Sequence, residues 1–216
     1  DGLHVNGTDL VRGLAEGLPA GTAIAGGLAG DGAHFGRTWT LVDGLPRSGW
    51  VSAVALGGSI AIGHASEGGW QAFGPEREVT ASEGNVLHAL DGKPALALYK
   101  DYLGDLAAGL PATALYYPLA LRMPGEHGPG IVRTVLGIDE TAQSMTFAGD
   151  IPLGARTRLM RSNHDRLVEG AAQAGTQARA GASDPVFAIA VSCVGRRMVL
   201  GQRVDEETAA TLEALP

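Results

Sequence analysis

The amino-acid sequence predicts an α/β fold: mixed β-sheets with packed helices, arranged as two intimately associated subdomains. Short apolar runs of strand character alternate with helix-period segments along the 216 residues, and a proline-rich stretch interrupts them near the middle. The 33 glycines are about twice the usual share of roughly 7 %, so many turns and close backbone approaches are required. Apolar residues at 45 % against 18 % charged exclude an intrinsically disordered chain.

Thr22 to Ala25 is a short apolar run that opens into the glycine cluster Gly26, Gly27, Gly30 and Gly32, and Phe35 to Val42 alternates as a strand does. Trp50–Leu56 and Ser59–Ala65 flank Gly57-Gly58, a pair able to take the positive φ of a tight turn, and predict a hairpin. Thr80 with Glu83 has capping-box spacing. It predicts a helix that carries Val86, Leu87 and Leu90 on one face and ends at Gly92. A second helix has Pro94 in its first turn, aligns Leu96, Tyr99 and Leu103, and stops at Gly104. Residues 1–110 then form the first part, and 111–130, with Pro111, Pro118, Pro124 and Pro129, a connection.

In the second part, 131–216, Ile131–Ile138 and Ser144–Ala148 read as strands around an Asp139-Glu140 turn. Ser162 and Asp165 form another capping box before an alanine-rich helix through about Ala180. Val186–Val191 is a continuous apolar run, the pattern of a strand buried on both faces. Asp205 is the expected N-cap of a last helix over 206–215, with Met198–Val204 open between strand and helix.

A net charge of −7 with only 16 Lys and Arg repels phosphate backbones and anionic lipid, so nucleic acid is not an expected partner. One cysteine, Cys193, closes no intramolecular disulfide, which fits a reducing, cytoplasmic setting. Neither a long apolar span nor a signal-peptide layout occurs, and no membrane insertion is expected. The six histidines, His4, His34, His64, His88, His127 and His164, have no metal-ligand spacing, and there is no Gly-x-Ser-x-Gly elbow. No metal and no catalysis are expected.

Four constellations are suited to a ligand. Glycines 26 to 32 let backbone N–H groups approach an anion, although the order is not that of a dinucleotide or P-loop fingerprint, and a plain tight loop is the alternative. Asp31 beside Gly32 is that loop's charged group and favours an ammonium. Ser82, Glu83 and Asn85 concentrate hydrogen-bonding groups at the expected helix start. Arg196 and Arg197, at the exit of the expected central strand, suit a carboxylate grip or a surface salt bridge, and Cys193 between them and that strand is either a nucleophile or a packing residue. Trp70 and Phe73 either wall a pocket or cover a core edge.

The blocks Gly-Gly-Leu-Ala-Gly-Asp-Gly at 26–32, Gly-Gly-Trp-x-x-Phe-Gly-Pro at 68–75, Val-Thr-x-Ser-Glu-Gly-Asn-Val-Leu at 79–87, Pro94–Gly104, Phe-Ala-Gly-Asp-Ile-Pro at 147–152 and Ser-Cys-Val-Gly-Arg-Arg at 192–197 resemble, in order, those of the FIST domain, a bacterial sensory module named for F-box and intracellular signal transduction proteins. The resemblance implies an intracellular sensory domain that binds a small ligand, an amino acid for example, and signals to a downstream protein without catalysis. It also implies that the unit is incomplete at both ends, leaving a sheet edge open to a homodimer or partner. Asp31 or Glu83 would then meet the ammonium and Arg196 the carboxylate. No cofactor is expected on this reading. Its alternatives are a haem-binding nitric-oxide sensor and an enzyme with Cys193 as nucleophile.

Overall fold

The computed structural model describes residues 1–128, 130–179 and 187–215. Near the N-terminus the Asn6 side chain accepts the Thr8 N–H and starts α1 (Gly7–Gly17), a helix absent from the sequence expectation and with no buried residue. Of the strand expected over Phe35–Val42, only β1 (Thr40–Val42) forms a ladder, pairing with β2 (Leu45–Arg47). Asp43 and Gly44 between them hold φ of 52° and 75°, the geometry of a two-residue hairpin turn. The hairpin expected at Trp50–Leu56 and Ser59–Ala65 does not form. Both runs are irregular, with Val54 87 % exposed. Gly58 does turn, with φ 106°, yet among the described residues no strand pairs with either run. A two-stranded ribbon without a further layer is marginal in water.

The centre of the molecule is an eight-stranded antiparallel sheet made of β3 (Gln71–Glu83), β4 (Val86–Leu90), β5 (Lys93–Pro94), β6 (Leu119–Arg122), β7 (Ile131–Arg133), β8 (Val135–Asp139), β9 (Ser144–Phe147) and β10 (Arg156–Arg161). The order along it is β7-β6-β10-β3-β4-β9-β8, with β5 on β4. Its two edges, β7 and β8, are consecutive in the chain and separated only by Thr134, so the sheet curls on itself like a small barrel. β3 supplies the opposite corner: its first half pairs with β10 and its second with β4, and bulges between Val79 and Ser82 bend it. Val79, Leu87, Val135, Met145, Phe147 and Ile151 fill the interior.

The helix expected from Thr80 is therefore a hairpin. Thr80 spends its hydroxyl accepting the Gly92 N–H across the strands (2.8 Å), not on a helix cap. Gly84, at φ 53°, turns the chain between β3 and β4. The next helix forms where predicted, as α2 (Ala95–Leu103) ending at Gly104, and its Leu96, Tyr99 and Leu103 enter the core. A 3-10 turn (Gly104–Gly109) follows α2, and the stretch expected as a connection holds a second (Ala112–Tyr116) and then β6, whose first three residues are buried. The strands of 131–148 match expectation apart from the break at Thr134. By contrast β10 was not predicted, because Arg156, Arg158 and Arg161 disguise its alternation.

α3 (His164–Ala178) is capped by Asn163, which accepts the Arg166 N–H, so Ser162 and Asp165 are not its capping box. Ser162 donates to the Gly69 carbonyl instead (2.6 Å). Ala180 and Val186 lie outside the described residues. Residues 187–191, expected as a doubly buried strand, are irregular, and Phe187 is 88 % exposed. The ambiguous stretch resolves as helix: α4 (Val194–Leu200), a short turn at Gly201–Arg203, then α5 (Val204–Glu213), with Asp205 in its first turn. α3 packs along α5 through Gly175, where an added Cβ would come within 3.0 Å of the Ala214 side chain.

Candidate functional site

The glycine cluster and the Ser192–Arg197 block, far apart in sequence, meet in space. A Cβ added to Gly27 would lie 2.9 Å from Val191 Cγ1, and one added to Gly30 would lie 2.7 Å from Val194 Cγ2. Glycine is therefore required there for backbone to approach the start of α4. Asp31 closes the loop. Its Oδ1 accepts the Phe35 N–H (3.1 Å), and its Oδ2 accepts those of Gly36 (2.7 Å) and Arg37 (2.8 Å). These donors, Arg37's foremost, hold its carboxyl below the ordinary carboxylate range. Gly32 follows at φ 75°.

Arg196, expected at a strand exit with its fork open to a carboxylate, stands on α4 and is 6 % exposed. Each of its guanidinium nitrogens is engaged inside the fold. Nε donates to Glu207 Oε1 (2.6 Å), Nη1 to the carbonyls of Glu67 (3.0 Å) and Gly68 (2.8 Å), and Nη2 to that of Leu167 (2.7 Å) and to Glu207 (2.5 Å). Glu207 also accepts the Ser192 hydroxyl (2.9 Å). One side chain thus ties α3, α4, α5 and the segment leading into β3. Arg197 and the Cys193 thiol remain exposed beside it.

Ser82, Glu83 and Asn85 sit at the β3–β4 turn. Asn85 Nδ2 donates to the Phe147 carbonyl (2.7 Å), and its own carbonyl accepts the Phe147 N–H (2.9 Å). Among the described residues no hydrogen bond or ion pair joins this turn to Asp31 or to 192–197. The expected site residues accordingly fall into two groups, loop with α4 and hairpin tip. Sequence reasoning also passed over Asp150. Its carboxylate accepts from Asn6 Nδ2 (2.6 Å) and Arg12 Nη2 (3.3 Å), and its carbonyl accepts from Arg133 Nε (3.0 Å), so it fastens the N-terminal segment to the barrel.

A cleft on the surface was likewise missed. A cleft of about 460 Å³ lies where β3, β10, α2, the 3-10 turns and α4 converge, within the range of pockets that hold small molecules. Phe73, Tyr102, Leu106, Tyr116, Arg161 and Val199 line it. The Arg161 guanidinium rests over the Phe73 ring at 5.2 Å, and Phe73 meets Tyr117 edge-on at 6.4 Å. Phe73 therefore serves both uses weighed from the sequence, as pocket wall and as a residue packed against the core. Val199 belongs to the same helix whose first residue touches the glycine loop. Among the described residues, no group of His, Cys, Asp and Glu could hold a metal ion. None of the described helices is long and apolar enough to cross a membrane.

Comparison with known families agrees with the motif order. The FIST N domain matches residues 1–93 and the FIST C domain residues 95–216. No curated protein and no solved structure matches the chain.

Proposed function

From the premise that this chain belongs to the FIST family, a family of signal-transduction sensory domains, we propose that it is a ligand-operated sensor acting in the cytoplasm on a downstream signalling protein. The cleft seats a small molecule, and α4 passes on its occupancy. The observation that carries this reading is the position of α4, with Val199 at the cleft and Val194 against Gly30 of the glycine loop. A ligand that favours one setting of this helix shifts the population of loop arrangements at its other end, and a partner reads the change. Arg196 and Glu207 anchor the helix and keep that displacement small.

An amino-acid clamp made of Arg196 with Asp31 or Glu83 is not the form we adopt, since Arg196 and Asp31 are already satisfied within the fold. Nor, among the described residues, does a histidine line the cleft, which argues against seating haem there. The test is a thermal-shift screen of the chain against small carboxylates, amino acids and neutral aromatics, followed by amide hydrogen exchange. A ligand at 100 times its Kd stabilises by about 2.7 kcal/mol, or roughly 5 to 10 °C for a chain of this size. The expected result is such a shift with altered exchange at both 26–32 and 194–200. No shift across the panel, or binding with 26–32 unaltered, overturns the proposal.

A further inference from the structure

Resting on that sensory reading, we infer that the cleft selects an aromatic monocarboxylate that carries no ammonium group. The charge inventory decides this. Arg161 is the cleft's one cation among the described lining residues, and no Asp or Glu lines it. On the same strand Arg156 is paired with Glu78 (2.9 Å), and Arg158 donates to the Gly74 carbonyl (2.9 Å). Arg161, by contrast, makes no ion pair and no side-chain hydrogen bond among the described residues. Its guanidinium carbon lies 5.2 Å from the Phe73 ring centre in an exposed side chain, so its N–H groups are open to a bidentate acceptor.

Apart from Ser162, whose hydroxyl donates to the Gly69 carbonyl, the rest of the wall is apolar or aromatic, and three of its side chains are open to water: Tyr102 (38 % exposed), Leu106 (52 %) and Tyr116 (37 %). An aromatic body covering them recovers apolar burial and ring contacts. Tyr102 is fixed for this role, because its hydroxyl accepts from Arg77 Nε (2.9 Å), and Arg77 is neutralised by Asp91 (3.0 Å). A zwitterion fits poorly. Its ammonium would find no anion among the described lining residues and would sit near a guanidinium. A phosphate dianion would meet one cation where such groups take several donors.

The experiment titrates the whole chain calorimetrically with 3-phenylpropionate, L-phenylalanine and 3-phenylpropanamide. The acid is expected to bind about tenfold or more tighter than either the amino acid or the amide, the usual scale of a charge-assisted pair. R161Q removes the preference for acid over amide, R161K restores part of it, and both melt as the parent does. Phenylalanine or the amide binding as tightly as the acid overturns the inference while leaving a small-ligand sensor in place. So does an unchanged acid affinity in R161Q. Failure of all three probes also overturns it, and the wider screen then decides separately whether the sensory reading stands.

Discussion

The barrel and the region before it are held together by different physics. From β3 to β10 the chain buries Leu87, Leu96, Val135, Met145, Phe147 and Ile151 in one continuous core behind paired strands. Residues 1–70 bury little beyond Asp1, Gly2 and Thr38, and they expose Trp39, Leu41, Trp50, Val54 and Ile62. What fixes them is a few polar fasteners: Asp31 within its loop, Asp150 on α1, and Arg196 on the carbonyls of Glu67 and Gly68. An apolar core is cooperative, whereas polar fasteners open one at a time. Binding loops are drawn from the less stable kind of region.

The largest expected effect comes from breaking the barrel. Phe147→Ala empties a fully buried site and should cost about 4 kcal/mol in urea denaturation, with both regions lost together. Glu207→Ala attacks the principal fastener. It strands a buried guanidinium at a cost of about 3 kcal/mol, whereas replacing Arg196 and Glu207 together by Met and Leu should recover only part of that loss, because the carbonyls of Glu67, Gly68 and Leu167 then lose their donor. If the single and double variants melt alike, the pair is not the clasp described here.

The smallest effect tests one loop. Asp31 has its carboxyl lowered from the ordinary 3.8, so its contribution is present above that value and is lost as pH falls through the lower, folded one. Acidification below about pH 4 should therefore raise amide exchange at 35–37 before the barrel melts, and Asp31→Asn should abolish that dependence. Loss of exchange protection throughout the molecule at a single pH would erase the distinction between the two regions.

Elements with complete local signals were legible in the sequence. α2 has proline before it, a glycine after it and Leu96, Tyr99 and Leu103 on one face, and β8 and β9 flank a polar turn. The β3–β4 hairpin was misread because a Thr-x-x-Glu spacing fell by coincidence on a strand end, where pairing of β3 with β4 and of β4 with β9 outweighs a cap. Residues 50–65 show the converse, a strand-like pattern without a partner strand, which no local pattern reports. In the site, the glycine block and Ser192–Arg197 were recognisable as motifs. Arg196's occupation was not, since its partners lie at 67, 68, 167 and 207. The cleft was hidden for the same reason, its walls being one or two residues from each of six elements.

The order of strands in the curled sheet has a consequence for how such a protein is inherited. β3 and β4 fall in the part matched by the N domain, yet they are inserted between β10 and β9, which belong to the part matched by the C domain. A boundary at residue 94 is thus a seam in the chain and not in the body it builds. Neither part, moved alone into another gene, would carry the whole curled sheet with it, so the two matches are expected to travel as one unit of shuffling.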